Sequence, residues 1–353
     1  MESYLRSIWP PKSAFFNGLL TFVTEKILHC TENCLICDKI LEFAMLKPSI
    51  CEDKLCVFGL EQYGLGLDPA AEISSNPEVV DLLISFTRGA VHGADIRRFQ
   101  PYPRHVESPN GDKSFVLNKN AEPTNSDMPL VGRVIDLFPS VQQMSQFKTS
   151  TLLREHLDKL DVLAYPLLRW ILTSARAHLA LLKPHERIPD VGTDYQFLLL
   201  SSTPAREKKF LEEKKAKGAF WAWHGSGFGN WHAIMRQGLK NMSGTSLMST
   251  GQAYGPGIYL AADSSVSIGY AKPLSGWSKS MFNLNGNELF SVVALCEVIT
   301  GYKANPYYVI PNEDHVATRY LFLYNSKNIC KKQDASSLKI PESDYSKIQR
   351  QKI

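Results

Sequence analysis

The apolar positions of this chain change period several times, and those changes mark its organisation. Val79, Val80, Leu83 and Phe86 recur at three-to-four spacing, which puts them on one face of a helix. Asn76 is a capping residue type and Pro77 suits the first helical position, so this helix has a start signal as well as a face. Residues 101–129 carry five prolines among many polar residues, show neither period, and read as a long loop. From 133 to 182 leucines return at helical spacing (Leu153, Leu157, Leu160, Leu163, Leu167), predicting packed amphipathic helices through that stretch. After Pro184 the character changes. Residues 196–200 form a short apolar run between polar neighbours, as buried strands do. Thr203 and Pro204 open a charged helix whose Lys208, Lys209, Glu212, Glu213, Lys214 and Lys215 read as a solvated face of mixed sign. From Phe220 onward short β-like runs dominate, at 220–223, 257–260, 289–299 and 319–324. The succession predicts an α+β protein with a cysteine-rich segment at 1–70, a mainly helical region at 71–185 with its loop at 101–130, and an antiparallel, strand-rich region at 186–353.

Length and composition narrow the function classes. The 353 residues suffice for two domains or one large elaborated one, and 44% hydrophobic with 21% charged residues is the balance of a soluble globular protein. Lys+Arg minus Asp+Glu is 39 − 35 = +4, too weak a positive balance to imply nucleic acid or an anionic membrane as partner. The most apolar stretch, 160–182, is interrupted by Asp161, Pro166, Arg169 and Arg176, so no membrane span is expected. The first 28 residues lack both an unbroken apolar core and a small-residue cleavage site, so no secretory leader is expected.

Seven cysteines are an odd number for a disulfide framework, and five of them fall between Cys30 and Cys56. That usage suits a reducing compartment, and an intracellular, cytoplasmic rather than nuclear location is expected. Cys34-x2-Cys37 and Cys51-x4-Cys56, separated by 13 residues, can supply two thiolate pairs to one tetrahedral zinc ion. The x4 spacing of the second pair leaves a second reading open, in which these are buried or adjacent free thiols. Cys30 and His29 would substitute if one thiol pointed away. Four protein ligands leave no open position for chemistry, so a zinc ion here would be structural. The segment ends in Gly64, Gly66 and Pro69, a turn-rich exit.

The stretch that carries chemistry is Trp221-Ala-Trp-His224-Gly225-Ser226-Gly227-Phe228-Gly229-Asn230-Trp231. Its glycines follow G-x-G-x-G rather than G-x-G-x-x-G, and no β-α-β unit surrounds them, so a dinucleotide fold of the Rossmann type is rejected. The His-Gly-Ser signature resembles the first nicotinamide-binding strand of the diphtheria-toxin-like ADP-ribosyltransferases, the poly(ADP-ribose) polymerase family. Further motifs agree in order: Asn230-Trp-His-Ala-Ile-Met-Arg-Gln-Gly238-Leu239, Ala253-Tyr254-Gly255-Pro256-Gly257-Ile258-Tyr259-Leu260, Ser264-Ser-Val-Ser267-Ile-Gly-Tyr270, Ala294-Leu-Cys-Glu-Val298 and Arg319-Tyr320-Leu-Phe-Leu-Tyr324. Asp314-His-Val-x-Thr-Arg319 and upstream stretches such as Cys34-Leu-Ile-Cys37 and Asp68-Pro-Ala-Ala-Glu-Ile-Ser74 resemble the mono-ADP-ribosyltransferase branch that holds the sixth and eighth family members.

The resemblance implies a diphtheria-toxin-like fold of two packed antiparallel sheets with an NAD cleft between them. It implies transfer of one ADP-ribose from NAD to a protein acceptor, the protein itself included, with nicotinamide released. It places NAD contacts on His224, Gly225, Ser226, Asn230, Tyr259, Ser267 and Tyr270, and a triad on His224, Tyr259 and Tyr320. The chemistry asks for such residues: a glycine lets the carboxamide lie against the backbone, and phenol rings stack on the pyridine. Polymerases carry a glutamate at the third triad position. A phenol of pKa about 10 at that place cannot supply the negative charge that activates a further sugar hydroxyl, so elongation is expected to fail. Glu313 and Asp314 are candidates for a replacement carboxylate, with a simple turn after Pro311 as the alternative. A catalytically inactive NAD- or ADP-ribose-binding module remains the other reading of the same pocket.

Overall fold

The computed structural model describes residues 15–341 apart from 42–43, 46–47, 52, 64–66, 176, 202 and 247–252. Gly64 and Gly66 of the turn-rich exit, Arg176, and half of the stretch read for a leader lie outside the described residues. Helices α1 (Phe15–Leu28) and α2 (Lys54–Tyr63) flank the cysteine loop. Next comes α3 (Pro69–Ser75), whose N-cap Asp68 accepts the amides of Ala70 and Ala71, as a helix start requires. Then α4 (Pro77–His92) begins on Pro77 as expected and buries Val79, Val80, Leu82, Leu83, Ile84 and Phe86. It is buried on more than one face, so it runs through the molecule and not along its surface. The loop that follows is irregular but packed: Tyr102, Val106, Phe115 and Val116 are buried, and the Tyr102 hydroxyl donates to the Phe115 carbonyl at 2.7 Å.

Four further helices follow, α5 (Met128–Leu137), α6 (Val141–Met144), α7 (Ser150–Asp158) and α8 (Ala164–Ser174). The helical expectation for 133–182 fails at its end, where His178–Leu181 is strand β1. It pairs antiparallel with β2 (Gln196–Ser201), so the main sheet starts ahead of residue 186. A four-residue apolar run carries too little period to tell strand from helix, and pairing with β2 decides it.

The rest of the sheet comes from β3 (Ala219–Ser226), β6 (Leu289–Ile299) and β8 (Val316–Tyr324), in the order β1-β2-β8-β6-β3, with β5 (Leu274–Ser275) on β6. A second, two-stranded sheet joins β4 (Ile258–Leu260) to β7 (Tyr308–Ile310). Every pairing between these strands is antiparallel, and the α+β expectation holds. Three helices complete this strand-rich region, α9 (Pro204–Lys217), α10 (Trp231–Gln237) and α11 (Ser264–Ile268). One apolar core joins helical residues such as Phe86, Val131 and Leu167 to sheet residues such as Phe197, Ala222 and Leu321. The charged helix α9 is not a purely solvated face: its Glu207 is buried and meets Arg319 at 2.8 Å, and Arg319 reaches Glu297 at 3.1 Å. Among the described residues no helix is long and apolar enough to cross a membrane.

Candidate active site

Strand β3 builds one wall. Its inner edge pairs with β6, Gly225 opposite Val293 and His224 opposite Ala294. At its outer edge Trp223 exchanges both backbone hydrogen bonds with Ala261, each at 2.8 Å. Backbone groups alternate between the two edges along an antiparallel strand, so the N–H and C=O of Gly225, two residues on, face that same outer edge past the bridge. Helix α11 closes over this point. A Cβ on Gly225 would lie 1.8 Å from the Ser267 carbonyl oxygen and 3.3 Å from the Ala271 nitrogen, so only glycine fits. Ser267 is itself buried.

Side chains of β3 alternate as well, which turns His224 to the opposite face from Gly225. Its ring bonds the Tyr259 carbonyl at 2.9 Å through Nδ1. A carbonyl only accepts, so Nδ1 carries the hydrogen, and in the neutral ring Nε2 is left as an acceptor. Burial pushes the His224 pKa below the ordinary imidazole value, against the smaller upward pull of the Tyr259 carbonyl, and keeps the ring neutral. Beyond the strand, the Asn230 amide donates to the Ser226 hydroxyl at 3.0 Å, so these two expected NAD contacts sit together on the turn at 227–230.

Tyrosines form the other wall. Tyr259 lies opposite Val309 in the small sheet; its hydroxyl donates to the Gly255 carbonyl at 2.7 Å and accepts the Tyr254 amide at 3.1 Å. Tyr270 is half exposed. Between them stands Tyr307, which the sequence analysis did not single out. Its ring centroid is 5.3 Å from Tyr254, 6.1 Å from Tyr259 and 6.4 Å from Tyr270, and its hydroxyl is 3.3 Å from that of Tyr270. This contact, followed by burial, raises the Tyr270 phenol above its ordinary value.

Tyr320 is not part of this group, and its assignment to the triad is corrected. It sits on β8 opposite Leu295 of β6 and Leu198 of β2, and β6 separates β8 from β3. Its side chain is 4% exposed and belongs to an apolar cluster with Trp223, Val293, Leu295 and Phe322. The ring lies 5.9 Å from Trp221 and stacks on Phe322 at 6.5 Å. The motif that suggested it describes a buried core strand. The strand that pairs with the Tyr259 strand is β7, and the residue just before β7 is Tyr307. Its sequence signal is the run Asn305-Pro306-Tyr307-Tyr308-Val309-Ile310, a turn residue followed by aromatic and β-branched positions. Glu313 and Asp314 are engaged elsewhere, Glu313 with the Asn241 amide at 2.8 Å and Asp314 with Lys209 at 3.3 Å.

The second constellation is the cysteine loop. The sulfurs of Cys34, Cys37, Cys51 and Cys56 all lie within 4.8 Å of one another, and those of Cys37 and Cys51 are 3.8 Å apart. Four thiolates each about 2.3 Å from one tetrahedral ion have sulfurs about 3.8 Å apart, so the residues fit a four-cysteine metal site. Burial pushes the Cys34 thiol up, but the backbone amides of Cys37, Cys51 and Ile36 outweigh it and bring it down to about 7. Cys30 and His29 are not members: His29 bonds Glu32 at 2.9 Å.

With this geometry in view, residues 199–352 match the model of the Poly(ADP-ribose) polymerase catalytic domain. The human protein mono-ADP-ribosyltransferase PARP8 is 35% identical over 344 residues, which is 89% of this chain and 40% of the relative. Its mouse counterpart is 35% identical over 346 residues with the same coverage. The human protein mono-ADP-ribosyltransferase PARP16 is 34% identical over 117 residues, 33% of this chain and 32% of that protein. This chain therefore spans about 40% of the length of the first of these relatives.

Proposed function

Because residues 199–352 belong to the poly(ADP-ribose) polymerase catalytic-domain family, we propose that this chain transfers a single ADP-ribose from NAD to a protein acceptor and releases nicotinamide. The observations that carry the reading are the close packing of Gly225 on Ser267 and the ring cluster of Tyr259, Tyr270 and Tyr307, which we read as the two walls of a nicotinamide slot. In it the Gly225 N–H and C=O and the Ser267 hydroxyl grip the carboxamide, and the phenol rings hold the pyridine. Cleavage leaves positive charge on the ribose, so the residues must fix the departing ring and the sugar in one geometry. His224 Nε2 accepts a hydroxyl of the adenine-side ribose, and Ser226 and Asn230 line the same side.

Tyr307 takes the third place of the triad, with His224 and Tyr259, and orients the nicotinamide-side ribose. It brings a hydroxyl and no carboxylate. The proton of a second sugar hydroxyl then finds no base at that position, which supports one transfer and not a chain. The acceptor must supply its own nucleophile, and automodification is the simplest source of one. Labelled NAD tests this reading: one ADP-ribose per acceptor site, lost in His224→Ala and Tyr259→Ala, supports it, and a polymer refutes it. The lack of an acid at Tyr307 also favours the second reading, a silent NAD-binding module, which the same assay would reveal as binding without transfer.

We further propose that the four cysteines hold one structural zinc ion, on the strength of their spacing and mutual distances. None of the seven cysteines is joined in a disulfide, which supports a reducing, intracellular setting. Thiol labelling of the protein in intact cells, followed by fractionation, checks that placement.

A further inference from the structure

The sheet does not frame the donor slot alone, because the last turn of α4 reaches both segments that leave it. Gly229 lies backbone to backbone on this turn. A Cβ on Gly229 would come 2.8 Å from the Gly89 carbonyl oxygen and 3.2 Å from the Ala90 Cα, and a Cβ on Gly89 would come 2.7 Å from the Phe228 ring. Phe228 is buried against Phe86 and Phe290, at ring distances of 5.3 and 5.5 Å, so it cannot easily give way. The turn at 227–230 follows directly from Gly225 and Ser226 and carries Asn230. At the other wall, His92 bonds the Ser275 carbonyl at 2.8 Å through Nδ1, which must donate. Ser275 ends the segment that leaves Tyr270. A second bond, from the Phe228 amide to the Lys272 carbonyl at 3.1 Å, ties the two walls to each other. One turn earlier on the helix, Thr87 and His232 are joined at 3.1 Å.

We propose that residues 89–92 are a positioning element of the donor site. They set the spacing between the turn at 227–230 and the segment at 271–275, and so the width of the slot between Gly225 and Tyr270. Gly89 acts through Gly229 and Phe228, and His92 through Ser275. Donor contacts of this kind must be held within about 0.5 Å to be productive, and a misplacement of about 1 Å can cost about 100-fold. The inference rests on the reading of the slot as an NAD site.

The test is the NAD dissociation constant and the melting temperature of the full chain and four variants, measured by calorimetry. His92 is exposed, so His92→Ala should melt where the unaltered chain does while binding NAD about 5-fold more weakly, the size expected for one hydrogen bond. His92→Gln, whose amide can still donate to Ser275, should bind within about twofold of the unaltered chain. Gly89→Ala should weaken binding about 10-fold or more, and Phe228→Leu in the same chain should recover most of that loss by making room for the added methyl. If the unaltered chain binds NAD and both His92→Ala and Gly89→Ala bind it equally well, the positioning role is wrong. If the unaltered chain binds no NAD, the reading of the slot falls and the inference falls with it.

Discussion

The proposed NAD slot and the cysteine loop are supported in opposite ways. Gly225, Tyr259, Ser267, Tyr270 and Tyr307 come from strands β3 and β4, one short helix and the residues flanking that helix and β7, and they rest on an apolar core that runs from α3 to β8. The four cysteines fall within residues 34–56, and their local cluster is Cys34, Leu41, Met45, Ile50 and Cys56, so two of the thiols are themselves core residues. A site borne by a large core stays folded when one contact is lost, even where its width changes. A loop whose core includes its own ligands folds and binds metal in one event.

The sharpest way to break the slot is Gly225→Ala, because the added carbon meets backbone 1.8 Å away. NAD affinity should fall by about 100-fold or more, and a smaller loss in calorimetry would show that the carboxamide does not lie on this edge. Cys34→Ser with Cys37→Ser separates the two regions. Bound zinc should drop from about one ion per chain to none and protease should cut within 30–60, while NAD affinity stays within about twofold. A parallel loss of NAD binding would mean that the loop supports the slot.

Tyr307→Ala and Tyr320→Phe test the corrected triad. The first should lower transfer about 10-fold or more by freeing the ribose; the second deletes a hydroxyl from the apolar cluster and should leave the rate within about twofold. The reverse ranking would restore Tyr320 to the site.

Acid should have the smallest effect, and it should act on the two regions with opposite sign. Asp81 of α4 is fully buried and accepts from Ser280 and from the Met281 amide at 2.8 Å. Burial pushes its carboxyl up to about 7 from 3.8, against the downward pull of those bonds. Between those values the native chain keeps a proton that the unfolded chain releases. The stabilisation is complete below 3.8 and is lost as pH rises through about 7. Metal binding by thiolates runs the other way and weakens as pH falls. Melting curves across this range should therefore show the core gaining and the cysteine loop losing stability on acidification, and Asp81→Asn should flatten the first trend.

Much of this was legible along the chain because it is locally encoded. Pro77 starts α4, the apolar run at 196–200 is β2, and the glycine at 225 and serine at 267 meet where the motif order implied. The errors fall where local pattern is silent. His178–Leu181 is too short to declare itself a strand until β2 pairs with it. Tyr320 and Tyr307 both stand in strand-like runs with another aromatic residue within two positions, and nothing in either run says which strand lies beside Tyr259.

The amino-acid order by itself determined the longer elements, the cysteine spacing and the residues of the β3 wall, because hydrophobic period, capping and glycine's missing Cβ act within a few residues. Tertiary structure alone decided which tyrosine faces the slot. Strand order sets that choice: pairing of β7 with β4 carries Tyr307 to the cleft, while β6 stands between Tyr320 and the wall it was expected to complete.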